Sequence, residues 1–352
     1  MPNYAIFDVE ADNLLPKLTA IHLVVVKSVS SGEFRSFRDP VAATQYLDTF
    51  DRIVGHNCIG FDLPALKKIT GWTPKAAPVD TLLISRLLFP DRTTHPAGGS
   101  SLAKWGLYFK MPKGEFSDFS QWSEEMDTYC RQDVEITHWL LMYLINAATK
   151  IPNAVMLEHS VASIIAGQVA NGFGFNQQAA ECLLADMVSN QSAITERLRV
   201  AFPCKEVVMK TKTKYIPFNP GSRDMIAVCL MRKYGWKPKQ FTETGKPQID
   251  ETILSEMSYP EAADLSLYLL LDKRIGMLNQ YLECCSDWKM HGELNTNGAL
   301  SGRMTHNNPN MAQVPRCGSP YGSEFRSLFR PTRYDWVQVG ADAAGLELRM
   351  LA

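Results

Sequence analysis

The sequence predicts an α/β layer over residues 1–150, a mainly helical stretch over 151–288 and a partial α+β region over 289–352. Three observations carry this reading. Short apolar runs with turn residues between them come first and are followed by segments with helical periodicity, the texture of a sheet covered by helices. From "KIPNAV" onward the pattern is all helix, and after residue 288 it changes to short strands with Gly, Asn and Pro turns. At 352 residues and 45% hydrophobic, the chain can bury more than one core, since single cores stop growing near about 250–300 residues.

In chain order, "YAIFDVE", "AIHLVVVK" and "EFRSF" read as a meander of three strands, with Ser31-Gly32 turning between the second and third. A helix near 40–50 leads to a fourth strand, "RIVGHN", and then "FDLPALKKI" and "DTLLISRLLF" read as helices with apolar faces. The turn-rich "PDRTTHPAGGSS" precedes "LAKWGLYF" and a long helix over roughly 121–149. Helices are expected at 153–170, 176–201, 220–234 and 260–284, with a lysine-rich linker between the second and third. A last strand is expected in "DWVQVGAD", 335–342. No internal repeat or low-complexity tract appears.

Composition excludes several classes. No apolar run approaches the roughly 18 residues of a membrane span, and acidic residues come too early in "MPNYAIFDVE" for a signal peptide, so a cytoplasmic protein is expected, without a membrane partner. The eight cysteines form no CxxC pair, which argues against a structural zinc or a disulfide lattice and for reduced, mostly buried thiols. The net charge of −1 hides a gradient: residues 203–247 hold ten Lys/Arg against three Asp/Glu. Such a run is either a solvated surface or a patch that meets a polyanion.

Asp8 and Glu10 lie two apart on the first strand and so share a face. Asp62 opens a helix after "HNCIGF", and Asp133 follows Tyr129 by one helical turn in "YCRQD". Four converging acids would form an all-oxygen site for Mg²⁺ or Mn²⁺. Two such ions about 3.5–4 Å apart can activate a water and stabilise the leaving oxygen in phosphodiester cleavage. Singly, each acid reads more simply as a helix cap or an exposed edge residue; the order and combination make the case.

"DVE" at 8–10, "HNCIGFD" at 56–62 and "YCRQD" at 129–133 resemble, in order and spacing, the DxE, NxxxFD and YxxxD motifs of DEDDy-type 3′–5′ exonucleases. The segment "SLAKWGLYFKMPKGEFSDF" is similar to the exonuclease domain of family A (DNA polymerase I-like) polymerases of the T-odd bacteriophage type. The resemblance implies a ribonuclease H-like fold, two metal ions held by Asp8, Glu10, Asp62 and Asp133, and an attacking water oriented by Tyr129. Asn57 would shape the DNA-binding side of the second motif.

The resemblance extends to the other end. "NGALSGRMTHNNPNMAQVP", 297–315, is similar to the family segment TGRxxxxxPNLQxIP, and "DAAGLELRML", 342–351, to motif A, DxSxxELR, with Ala344 where the family has Ser. It implies that Asp342 binds catalytic metals, again two per site, that Glu347 and Arg349 serve the nucleotide and its strand, and that Arg303 and Gln313 touch primer or template. The helical middle would be the thumb, with Lys210, Lys212, Lys214 and Arg223 gripping DNA phosphates, and 289–352 the start of the palm. No histidine precedes an aspartate, so the family's His-Asp-Glu motif is missing from these residues, as is its fingers helix. "CKEVVMKTKTKYIPFNPGSRD" leaves under twenty residues where the T-odd enzymes recruit thioredoxin, so thioredoxin is not an expected partner.

The expectation is an amino-terminal polypeptide of a family A DNA polymerase, working in a bacterial or phage-infected cytoplasm. It would carry proofreading exonuclease, thumb and partial palm, and would bind dNTP and polymerise only with a carboxy-terminal fragment in trans. The alternatives are a stand-alone exonuclease with a DNA-binding arm and a non-catalytic DNA-binding subunit.

Overall fold

The computed structural model describes residues 3–15, 17–203, 205–208, 213–333 and 335–351. It forms two compact units, Met1–Gly172 with His291–Ala312, and Phe173–Met290 with Gln313–Ala352. These divide the chain differently from the expected 1–150, 151–288 and 289–352.

The first unit is built on strands β1 (Tyr4–Ala11), β2 (Ile21–Ser28), β3 (Phe34–Phe37), β4 (Arg52–Gly55) and β5 (Ala77–Asp80). Their order is β3-β2-β1-β4-β5, with β1, β2 and β3 antiparallel and β4 and β5 parallel to β1. Helices α1 (Pro40–Leu47), α2 (Asp62–Thr70), α3 (Thr81–Leu88), α4 (Leu102–Tyr108), α5 (Glu124–Ala148) and α6 (Pro152–Asn171) surround the sheet. The expected meander and helices form; β5, with a proline inside it, was not anticipated, because proline in a run argues against a central strand and here occupies an edge.

Alternation along β1 decides which core each side chain enters. Ala5, Phe7 and Val9 pack with Leu47, Ala65 and Leu66 on the side of α1 and α2. Ile6 turns the other way, to Met126, Cys130, Val134 and Leu141 of α5. Each large apolar side chain removed from water in this way contributes about 1.5–3 kcal/mol. Asp8 and Glu10, in step with Ile6, therefore face α5. That helix starts where Ser123 Oγ accepts from the Met126 amide and Glu124, Glu125 and Asp127 meet the positive end of its dipole.

Helix α6 stays with this unit for two reasons. Ala162 and Ala166 enter the α1–α2 side core, and His159 Nε2 accepts from the Asp80 amide at 2.8 Å. Residues 291–312 return to it as well. Asn297 Nδ2 donates to Leu83 O at 3.2 Å and Arg86 to Asn295 Oδ1 at 3.0 Å.

The second unit contains β6 (Phe173–Phe175), α7 (Gln177–Ala201), β7 (Lys205–Val208), β8 (Thr213–Ile216), α8 (Arg223–Tyr234), α9 (Glu251–Ser255), α10 (Ala262–Cys284), β9 (Cys285–Ser286) and β10 (Lys289–Met290). The chain then forms β11 (Glu293–Asn295) and β12 (Thr305–Asn307), a hairpin of the first unit, before α11 (Gly322–Ser327), β13 (Phe329–Arg330) and α12 (Leu346–Leu351) complete the second. Helices α7 and α10 run antiparallel, with Arg197 bidentate on Asp264 at 2.9 and 2.7 Å and Gln191 donating to Asp272 at 3.3 Å.

Three expectations are corrected here. Part of the lysine-rich linker is an antiparallel hairpin, β7 with β8, because Val207-Val208 and Tyr215-Ile216 are strong strand formers. The strand expected at 335–342 does not form among the described residues: Trp336, Val337 and Val339 are 52%, 82% and 89% exposed. Its alternation suits a strand, but a strand also needs a neighbour for its N–H and C=O groups, and no described residue provides one. The thiols are not mostly buried either: Cys58 and Cys130 are, whereas Cys182 and Cys317 are exposed and Cys229, Cys284 and Cys285 half-buried. Cys204 lies outside the described residues. Among those described, no helix is long and apolar enough to cross a membrane.

Candidate active site

Four carboxylates meet at the carboxy-terminal end of β1. Asp8 and Glu10 project from that strand, whose pairing with β2 shifts register between Glu10 and Ala11. Asp133 faces them from the third turn of α5, and Asp62 arrives at the start of α2. Glu10, Asp62 and Asp133 are 7%, 3% and 2% exposed and Asp8 is half-buried. Carboxylates this dry need compensation.

The turn that delivers Asp62 is held by a fifth acid. Asp80 accepts from the Asn57 amide at 2.9 Å and the Ile59 amide at 3.1 Å, and it caps α3 through the Leu82 amide at 3.0 Å. Asn57 has φ 64°, a left-handed conformation that asparagine tolerates better than most residues. A Cβ on Gly55 would lie 2.6 Å from Cys58 Cβ and 3.3 Å from the Phe7 carbonyl, so glycine is needed there for the turn to close, and one on Gly60 would displace the Asn57 side chain, 2.6 Å from its Oδ1. Asn57 thus shapes the loop through its backbone.

Burial pushes the Asp8 carboxyl up to about 7, with the negative charge of Asp133 adding to the effect. Glu10 is pushed up to about 9, by burial first and then by Asp8 and Asp133. Asp62 is also held well above the ordinary carboxylate range, by burial and then by Asp8. Asp133 is raised by burial against the opposing pull of Lys113. Burial, reinforced in Asp8, Glu10 and Asp62 by repulsion between the acids, thus favours the protonated form in all four.

The residues fit a divalent cation. Ligand atoms of Asp8, Glu10 and Cys130 lie within 4.8 Å of one another, and Asp133 Oδ1 is a buried oxygen without a hydrogen-bond partner. Hard carboxylate oxygens suit a hard ion. Sequence reasoning missed two members of this cluster, Cys130, whose Sγ donates to Asp8 Oδ2 at 3.5 Å, and Lys113. Tyr129 lies beside them on α5, half-buried, with Phe116 at 5.6 Å and Phe119 at 6.4 Å between ring centroids.

The carboxy-terminal motifs look different. Asp342 is exposed and outside regular structure, and Glu347 and Arg349 stand on α12, exposed throughout. Gln313 ends an exposed 3₁₀ turn, Met311–Gln313. Arg303, also exposed, follows Gly302, which has φ 75°, and its carbonyl accepts from the Ala299 amide at 3.1 Å. Arg223 donates through Nε to Ile249 O at 3.1 Å. Lys214 lies on β8; Lys210 and Lys212 lie outside the described residues.

Residues 194–352 match the family described as DNA polymerase family A. Over 98% of its length it is homologous, at 29% identity, to the DNA-directed DNA polymerases of Enterobacteria phage T3 and Escherichia phage T7. It spans 68% of each of those proteins. The alignments run over 483 positions against the 352 residues here, so both relatives contain internal segments without a counterpart in this chain. The fold is shared with the POL domain of Pol1 from M. smegmatis, solved in complex with DNA primer-template and dNTP. The TM-score is 0.72 at 16% identity, over 94% of this chain and 55% of that one.

Proposed function

We propose that this polypeptide serves DNA replication as part of a family A DNA-directed DNA polymerase, and that its carboxylate cluster is a 3′–5′ proofreading exonuclease. The observation that carries the exonuclease reading is the convergence of Asp8, Glu10, Asp62 and Asp133, with Tyr129 beside them, at one end of a β3-β2-β1-β4-β5 sheet. That strand order, with the first three strands antiparallel and the last two parallel to β1, supports a ribonuclease H-like domain.

Asp8, Glu10, Asp62 and Asp133 would hold two Mg²⁺ or Mn²⁺ ions. When bound, these supply the charge that activates water and stabilises the departing oxygen. The protein does the rest. The Tyr129 hydroxyl orients the attacking water, and packing against Phe116 and Phe119 restrains its ring. The water oxygen bonds to phosphorus as the bond to the preceding 3′ oxygen breaks, releasing a nucleoside monophosphate and leaving a 3′-hydroxyl.

Nucleotidyl transfer would use Asp342 as a metal ligand, Glu347 and Arg349 at the dNTP, and Arg303 and Gln313 at the primer-template. Minor-groove acceptors permit contacts that tolerate any base pair. Lys210, Lys212, Lys214 and Arg223 would grip phosphates. The test is purified chain with Mg²⁺ on a mismatched primer: it shortens the 3′ end, and Asp8→Ala and Asp133→Ala do not. Equal activity in those variants removes the exonuclease reading. Primer extension on adding a second polypeptide that carries the fingers and remaining palm tests completion in trans.

A further inference from the structure

Lys113 occupies the place among the carboxylates where positive charge is required. Its Nζ lies 2.5 Å from Asp133 Oδ2 and 4.7 Å from the centre of the Tyr129 ring, and its side chain is 27% exposed where that of Asp133 is 3% exposed. The ammonium also acts on Asp8 and Glu10, drawing both downward against burial and mutual repulsion. Burial works against its own charge, but the ion pair with Asp133 and the contact with Tyr129 outweigh this and hold Lys113 above the ordinary lysine range. The lysine comes from the segment between α4 and α5, which has no regular structure from Met111 to Phe119. It can therefore move without breaking a helix or a strand.

We propose that Lys113 is a built-in counter-ion of the carboxylate cluster that a divalent cation displaces from Asp133. This rests on the reading of the cluster as a metal centre. Asp133 cannot serve two cations at full strength: a dication on its unpartnered Oδ1 stands within one carboxylate of the ammonium on Oδ2, and like charges that close repel strongly in a dry site. Without metal, Lys113 keeps the four acids from driving one another apart. With metal, the ammonium leaves Asp133. Lys113 is thus a positioning residue, and metal affinity and lysine accessibility are coupled through it.

The test uses the whole chain without DNA, titrated with Mn²⁺ while an amine-reactive acetylating ester labels lysines and mass spectrometry reads each site. Labelling of Lys113 is expected to rise several-fold as Mn²⁺ saturates, while Lys27, paired with Glu135 elsewhere on the unit, stays constant. Constant Lys113 labelling with Mn²⁺ bound overturns the proposal. In calorimetry, Lys113→Met is expected to bind Mn²⁺ about tenfold more tightly and Lys113→Arg to match the parent chain; equal or weaker binding by Lys113→Met also overturns it. Failure of every form to bind Mn²⁺ removes the metal-centre reading itself, a different result from metal that binds and leaves Lys113 in place.

Discussion

Asp8 and Asp342 occupy opposite surroundings. Asp8 emerges from the central strand of a five-stranded sheet, among three other buried acids, a lysine and a thiol. Asp342 stands in solvent, in a segment without regular structure, beside a helix whose apolar Leu348 and Met350 are each 76% exposed. The first site draws its residues together within one unit; the second has its residue types in order along the chain. A motif supplies the acids, and a fold supplies the low-dielectric surroundings in which their charge needs a partner.

The largest effect that would sharpen this contrast is on exonuclease activity. Asp8→Ala and Asp133→Ala are each expected to reduce 3′-end removal by about 10³-fold, while Asp342→Ala leaves it within about twofold. A gel assay on a mismatched primer reads both, and a large loss in Asp342→Ala would break the separation of the two regions.

Next comes the pH dependence of stability. Asp8, ordinarily 3.8 and here about 7, and Glu10, ordinarily 4.5 and here about 9, bind protons more tightly folded than unfolded. Their contribution is full below about pH 4 and drains away as the pH rises towards about 9. In chelator the melting temperature should therefore fall across that range, and Mg²⁺ or Mn²⁺ should restore it most at the alkaline end. Asp342→Asn should leave that profile unchanged, whereas Glu10→Gln should flatten it.

A smaller loss is expected from Asp80→Ala, which strips the partner from the Asn57 and Ile59 amides and the cap from α3. About 2 kcal/mol of unfolding free energy should go, measurable by urea denaturation. Because the same turn aims Asp62, metal affinity should fall with it. The smallest effect belongs to the second region: Lys214→Ala and Arg223→Ala should each flatten the salt dependence of DNA binding by about one phosphate contact, with no change in the exonuclease.

Much of the first site is legible in the residues. A period of two places Asp8 and Glu10 on one face, a helical turn joins Tyr129 to Asp133, and "HNCIGFD" marks the tight turn before Asp62. Lys113 escaped because it reaches the cluster from an irregular segment, where no period says which way a side chain points. Asp80 escaped because an acid before "TLLIS" reads as an ordinary helix cap, which it also is; its bonds to Asn57 and Ile59 join residues more than twenty positions away. The expected strand at 335–342 failed for a related reason, since alternation describes one strand and pairing requires two.

By itself the sequence determined the local pieces: segments similar to family A polymerase motifs at one end, four acids in order at the other, and helices and strands close to where apolar periodicity places them. These are properties of neighbours along the chain, which dihedral preferences and side-chain spacing control directly. Only the tertiary structure decided that the four acids come together, that Lys113 and Cys130 join them and that α6 packs with the sheet. Charge compensation and burial depend on distances between remote residues, and those distances exist only once the sheet and its covering helices have packed.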